Sequence, residues 1–128
     1  MKKAIVGALA LLALVVAPGA HARATYLTDV FIYDVDFLKN GEALVSGGLF
    51  SEKQKCRANR EVALYDYNGP LKRRGTPEPL DTAVTSKGGG YGFLVPQKSF
   101  GGALKVKAPK ATKGDDVCAK DADVIFIG

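Results

Sequence analysis

Carboxylates are the side chains through which this sequence has most to offer a reaction, and they fall into two groups. Asp34, Asp36 and Glu42 surround an Asn40-Gly41 turn, while Asp115, Asp116, Asp121 and Asp123 flank Cys118. The first group offers oxygen ligands of the kind calcium takes, but its spacing is not that of an EF-hand loop. Asp34 and Asp36 alternate along an extended segment, which reads as a solvated strand face. In the second group Lys110, Lys113 and Lys120 are interspersed, the pattern of a mixed-charge surface rather than of a metal site. A glycosidase pair drawn from either group has nothing to fix the required separation. The chain's one histidine is His21, which lies in a segment expected to be removed. Its loss takes away Ser-His-Asp arrangements, histidine acid–base work and the usual catalytic zinc ligand sets. No catalytic residue, metal or cofactor is assigned.

The removed segment is an expected secretory leader. Lys2 and Lys3 precede an unbroken apolar run of fourteen residues from Ala4 to Ala17. Pro18 and Gly19 follow, then small-residue cleavage patterns that place the cut after Ala22 or Ala24. A spanning helix needs about 20 apolar residues, so the run does not predict a transmembrane anchor. Residues 1–24 are therefore read as leader and residues 25–128 as one domain, secreted or periplasmic. The precursor carries eighteen Lys and Arg against thirteen Asp and Glu. With the cut after Ala24, Lys2, Lys3 and Arg23 leave with the leader, so fifteen face thirteen, a surplus of two. A nucleic-acid partner needs a strongly basic face, and so small a surplus argues against one.

Cys56 and Cys118 both survive processing. An even cysteine count in an exported chain predicts a disulfide, the alternative being two buried thiols. Pairing also removes the remaining thiolate nucleophiles.

Binding is left, and cations mark where. Lys53, Lys55, Arg57, Arg60 and Lys87 fall near the expected disulfide, partly offset by Glu52 and Glu61, and of these Lys53, Lys55, Arg57 and Lys87 form the first candidate contact surface. Lys72-Arg73-Arg74, in a loop rich in turn formers, is the second. The exposed tyrosines Tyr65 and Tyr67 offer further contact area.

Seven strands must position these groups, as alternation and turn punctuation indicate. The first spans residues 29–37, with Phe31, Tyr33, Val35 and Phe37 on one face and Val30, Ile32, Asp34 and Asp36 on the other. The second (43–51) places Val45, Gly47 and Leu49 together. The third (60–67) alternates Val62 and Leu64 against Ala63, Tyr65 and Tyr67. A fourth (81–86) and the glycines 88–90 lead to a fifth (91–95), where Tyr91, Phe93 and Val95 share a face. The sixth turns Leu104, Val106 and Ala108 inward and Lys105 and Lys107 outward. A loop over 109–122 precedes the last strand, 123–127. If successive strands alternate in direction, the loops holding Cys56 and Cys118 lie at the same end, as a disulfide requires.

In this order, Val45-Ser46-Gly47-Gly48-Leu49, Arg60 to Tyr65, Thr85 to Phe93 and Gly102 to Ala108 resemble the carboxypeptidase regulatory-like and transthyretin-like superfamily of extracellular β-sandwiches. The Thr85-to-Phe93 element, a glycine turn followed by Tyr-x-Phe, is the most recognisable part. The resemblance implies an all-β, seven-stranded immunoglobulin- or transthyretin-like sandwich, here with one disulfide and a preceding signal peptide. It also implies an accessory or adhesive module rather than an enzyme. Hydroxyisourate hydrolase, the enzymatic relative, uses histidines and a C-terminal Tyr-Arg-Gly-Ser motif, and this sequence has neither. The expected function is noncovalent interaction or a structural role at or outside the cell envelope, with a protein or polysaccharide at the cell surface as the partner. The competing readings are an enzyme inhibitor presenting a stapled loop and a small hydrolase working through carboxylates.

Overall fold

Short segments that alternate apolar and polar side chains can bury one face only by pairing edge to edge, and the described strands all do so. The computed structural model describes residues 24–67 and 78–127. The expected leader through Arg23 and the Lys72-Arg73-Arg74 run lie outside the described residues. Among the described residues there are ten strands and no α-helix. They are β1 (Thr25–Tyr26), β2 (Asp29–Phe37), β3 (Glu42–Phe50), β4 (Glu61–Asp66) and β5 (Asp81–Val84). The others are β6 (Gly90–Pro96), β7 (Ala103–Ala108), β8 (Ala111–Lys113), β9 (Asp116–Cys118) and β10 (Asp121–Phe126). None of the described residues forms a helix long and apolar enough to cross a membrane.

Two antiparallel sheets face one another, one ordered β10-β7-β4-β5 and the other β2-β3-β6. Their inner faces form one core. Val30, Val45, Leu49, Tyr91, Phe93 and Val95 come from the three-stranded sheet, and Val62, Leu64, Leu104, Val106 and Ala108 from the other. The inward residues expected for the second, third, fifth and sixth strands are all buried. A third, small sheet is ordered β1-β9-β8, with β1 parallel to β9; β8 and β9 lie in the segment expected to be loop and β1 precedes the first expected strand. Each of its strands is two or three residues long, too short for alternation to show. The seven expected strands correspond to β2 through β7 and β10.

The first strand corrects the sequence reading. The register of β2 on β3 shifts between Ile32 and Asp34, so Tyr33 is an extra residue and the strand's facing is offset by one. Val30 and Ile32 face the core before the shift and Val35 after it. Tyr33 is left 70% exposed, and Phe37, at the strand's end, is half exposed. Beside the bulge, the Tyr91 hydroxyl donates to Phe31 O at 2.7 Å, passing over Gly47. Burial first, and then the charge of Asp123, pushes the Tyr91 phenol above its ordinary range, so the donor proton is retained. A Cβ at Gly47 would collide with both Phe31 O and the Tyr91 hydroxyl. Gly47→Ala is therefore expected to destabilise the fold by about 3 kcal/mol, the upper range for overpacking. Urea unfolding measures it, and a loss below about 0.5 kcal/mol, typical of surface changes, would show that the contact relaxes freely.

One seam between the sheets is closed by side chains. Asp121 accepts the Val30 N–H at 2.7 Å and Asp123 accepts the Ile32 N–H at 3.0 Å. These carboxylates from β10 satisfy the edge of β2, which would otherwise present unpaired backbone donors.

Candidate functional site

The stapled end is built from the chain's sharpest corner. A 3-10 turn, Gln54–Cys56, follows β3, and Asn59 takes a positive φ of 52°, a conformation that asparagine tolerates better than most residues. That corner directs Arg60 inward at the start of β4. Thr85 fixes it from the side: its Oγ1 accepts the Arg60 N–H at 2.8 Å and its hydroxyl donates to Arg57 O at 2.6 Å. The adjoining turn into β6 needs Gly89, whose φ is 95° and whose missing Cβ leaves room for Leu49 O.

Arg60 is only 1% exposed. Its Nη1 donates to Thr28 Oγ1 at 3.1 Å and to Cys56 O at 2.9 Å. Its Nη2 donates to Pro109 O at 2.9 Å and Ala119 O at 3.1 Å. One guanidinium thus joins the segment before β2, the 3-10 turn, the end of β7 and the residue after β9. Burial pulls its pKa below the ordinary guanidinium range, but a guanidinium stays charged at neutral pH. Beside this hub Cys56 and Cys118 form the expected disulfide, with Cα atoms 5.4 Å apart. A disulfide fits an oxidising compartment outside the cytosol.

The candidate cations ring this end but divide into two uses. Lys53 and Lys55 both approach Asp116 Oδ2, at 4.0 and 3.2 Å. Lys53 also lies 5.5 Å from the centre of the Tyr26 ring, and Arg57 lies 5.3 Å from that of Phe50. Lys87 is held through its backbone, where its carbonyl accepts from Gln54 Nε2 at 3.2 Å. A shallow pocket of about 590 Å3 is lined by Gln54, Lys55, Asn59, Lys87 and Lys113, with Ala58 and Gly114 completing it. Lys53 and Arg57 are outside this lining. Lys113 is the addition that sequence reasoning missed as a cation of this site. Its Nζ donates to Asn59 O at 3.0 Å and Ala58 O at 3.3 Å, a pairing set by β8.

The carboxylates are placed singly rather than in pairs. Asp116 meets the lysines, Asp121 and Asp123 cap β2, and Glu42 closes its turn, accepting from Asn40 Nδ2 at 3.0 Å. Asp34 and Asp36 are exposed on β2. Among the described residues no three His, Cys, Asp or Glu side chains gather closely enough to hold a metal ion.

No protein-family model matches the chain, and no curated protein matches it. Among solved structures, the chain is similar to the crystal structure of "a putative carbohydrate binding protein" from Bacteroides uniformis, with a TM-score of 0.36 and 11% sequence identity. The match covers 98% of this chain and 63% of that one, so the chain spans less than two thirds of its length. At that level of likeness neither the fold type nor the ligand of that protein transfers to this chain.

Proposed function

We propose that this is an exported, non-enzymatic module of immunoglobulin- or transthyretin-like sandwich type, secreted or periplasmic. Its role is noncovalent contact with an anionic group on a protein or polysaccharide partner. The observation that carries this reading is the pocket shared by Lys55, Lys87 and Lys113, backed by a disulfide and a buried arginine. A surface held in place before binding loses little conformational entropy when it binds. Lysines at its rim act mainly on encounter rate and salt dependence. The reactive groups of the chain point the same way. Its thiols are joined, its histidine lies in the expected leader, and Asp116, Asp121 and Asp123 are each engaged in holding the structure together.

The test is a pull-down from envelope and culture-supernatant fractions with the oxidised protein and a Lys55→Glu/Lys87→Glu variant. Both side chains lie at the surface, so the variant is expected to keep its thermal midpoint within a few degrees. The wild type is expected to capture a partner in a salt-sensitive way, and the variant to lose that capture at least about tenfold. Equal capture by the folded variant would remove the stapled end from the reading and move the contact to Lys72-Arg73-Arg74 or a sheet edge.

A further inference from the structure

The outer face of the β10-β7-β4-β5 sheet carries aromatic rings where a plain solvated sheet would carry polar side chains. The register aligns Tyr65 with Lys105, Ala63 with Lys107, Val124 with Lys105 and Phe126 with Ala103. Tyr67 continues the β4 row, its N–H donating to Ala103 O at 3.1 Å. Phe126 is 75% exposed and Tyr67 43%, and their rings meet edge to face with centroids 6.3 Å apart. Two lysines interleave with the rings. Lys107 Nζ lies 5.3 Å from the centre of Tyr65, and Lys105 Nζ lies 5.8 Å from that of Tyr67. Beyond Tyr65 the face dips into a cleft of about 570 Å3, whose walls include Lys107, Pro109, Lys110 and Lys120. The result is one stripe along β7, about 20 Å long at the rise of an extended strand. Rings dominate one end of it and ammonium groups the other; the nearby carboxylates are Glu61, on the same face of β4, and Asp121 in the cleft wall, which is engaged with the Val30 N–H.

We propose that this stripe binds an anionic polysaccharide, a chain of pyranose rings bearing carboxylate or sulfate groups, laid along β7. The proposal rests on the export and non-enzymatic parts of the reading above and is independent of the stapled end. An ammonium over an exposed ring is held weakly. Lys105 and Lys107 can therefore swing to the anionic groups of a ligand and uncover the tyrosines. The flat, C–H-rich faces of sugar rings then stack on aromatic side chains whose shape is fixed by few rotatable bonds. A folded protein partner would call for a deep anchoring pocket at the centre of the patch, whereas the cleft here lies at one end of the stripe. A nucleic acid would stack as well, but its backbone demands a strongly basic groove. The net surplus of two charges expected after leader removal is small for that.

Calorimetry on the processed, oxidised protein tests it at low and moderate salt. The probes are polygalacturonate for carboxylate, dextran sulfate for sulfate, unsubstituted dextran and oligo-dT. At least one anionic polysaccharide is expected to bind and dextran to give no signal. Lys105→Glu/Lys107→Glu and Tyr67→Ala/Phe126→Ala should each weaken that binding at least about tenfold. Tyr67→Phe should preserve it. Should Tyr67→Ala/Phe126→Ala fail to fold, the lysine pair and Tyr67→Phe still decide the matter. The proposal is overturned if neither anionic polysaccharide binds, if oligo-dT binds as tightly, or if the folded sheet-face variants bind like the wild type. It is also overturned if only Lys55→Glu/Lys87→Glu loses binding, a result that would instead favour the stapled end.

Discussion

Arg60→Met is expected to lower the unfolding free energy by about 3–5 kcal/mol, the range seen when one partner of a buried charged network is removed. Methionine has comparable length and fills the space, so the cost is not that of a cavity. It comes from what arginine leaves behind. Cys56 O, Pro109 O, Ala119 O and the Thr28 hydroxyl all accept from its guanidinium. Three of those acceptors are backbone carbonyls, which no second substitution can remove. Each buried and unpaired polar group costs about 1–3 kcal/mol, partly recovered if water enters. Arg60→Lys should rescue little, because one ammonium cannot reproduce the planar fork that reaches four acceptors. For a domain of this size the thermal midpoint should fall by about 12 °C or more. Circular dichroism measures it, and a fall of only a few degrees would mean that the carbonyls find other donors and that Arg60 is not the hub of this end.

That hub is also where the sequence was least legible. Arginine is seldom fully buried, so Arg60 reads as one more cation near the expected staple. Its acceptors give no signal, because a backbone carbonyl looks the same at every residue. Periodicity, in contrast, was readable wherever a strand ran long enough to repeat. The facing of Val62 and Leu64, of Tyr91, Phe93 and Val95, and of Leu104, Val106 and Ala108 follows from alternation alone. The same rule misled at β2, where the extra residue at Tyr33 offsets the facing, so that Val30 and Ile32 face the core before it and Val35 after it; Phe37, on the Val35 side at the strand's end, is half exposed and stacks on Phe100. A bulge is a property of the pair of strands, set here against β3, and one strand's sequence does not display it. Lys113 was hidden for a related reason. It sits on a three-residue strand that exists because β9 pairs with it. The aspartates near Cys118 looked like a group, and pairing dispersed them. Asp121 and Asp123 turn to the β2 edge, and Asp116 turns to the lysines.

Reduction of the disulfide should be nearly as costly as loss of Arg60, and the two effects should not add. Cys56 and Cys118 are separated by 62 residues, for which the chain-entropy model gives about 4 kcal/mol. A Cys56→Ser/Cys118→Ser variant is thus expected to unfold at least about 15 °C below the oxidised wild type. Arg60 binds the same two segments, through Cys56 O and through Ala119 O, the carbonyl that follows Cys118. Removing either link lets the 3-10 turn and the β9 segment separate more easily, so part of the other link's contribution is already lost. A double-mutant cycle between Arg60→Met and the paired serine changes should then show a coupling of about 1–3 kcal/mol. Full additivity would mean that the covalent and hydrogen-bonded links hold different things. The consequence reaches the candidate site, because Lys55 leaves from the 3-10 turn and Asn59 from the corner before Arg60. If the links act together, reduction should also weaken binding at the Lys55-Lys87-Lys113 pocket under conditions where the domain remains folded. Binding through the sheet face, built on β4, β7 and β10, should then change much less.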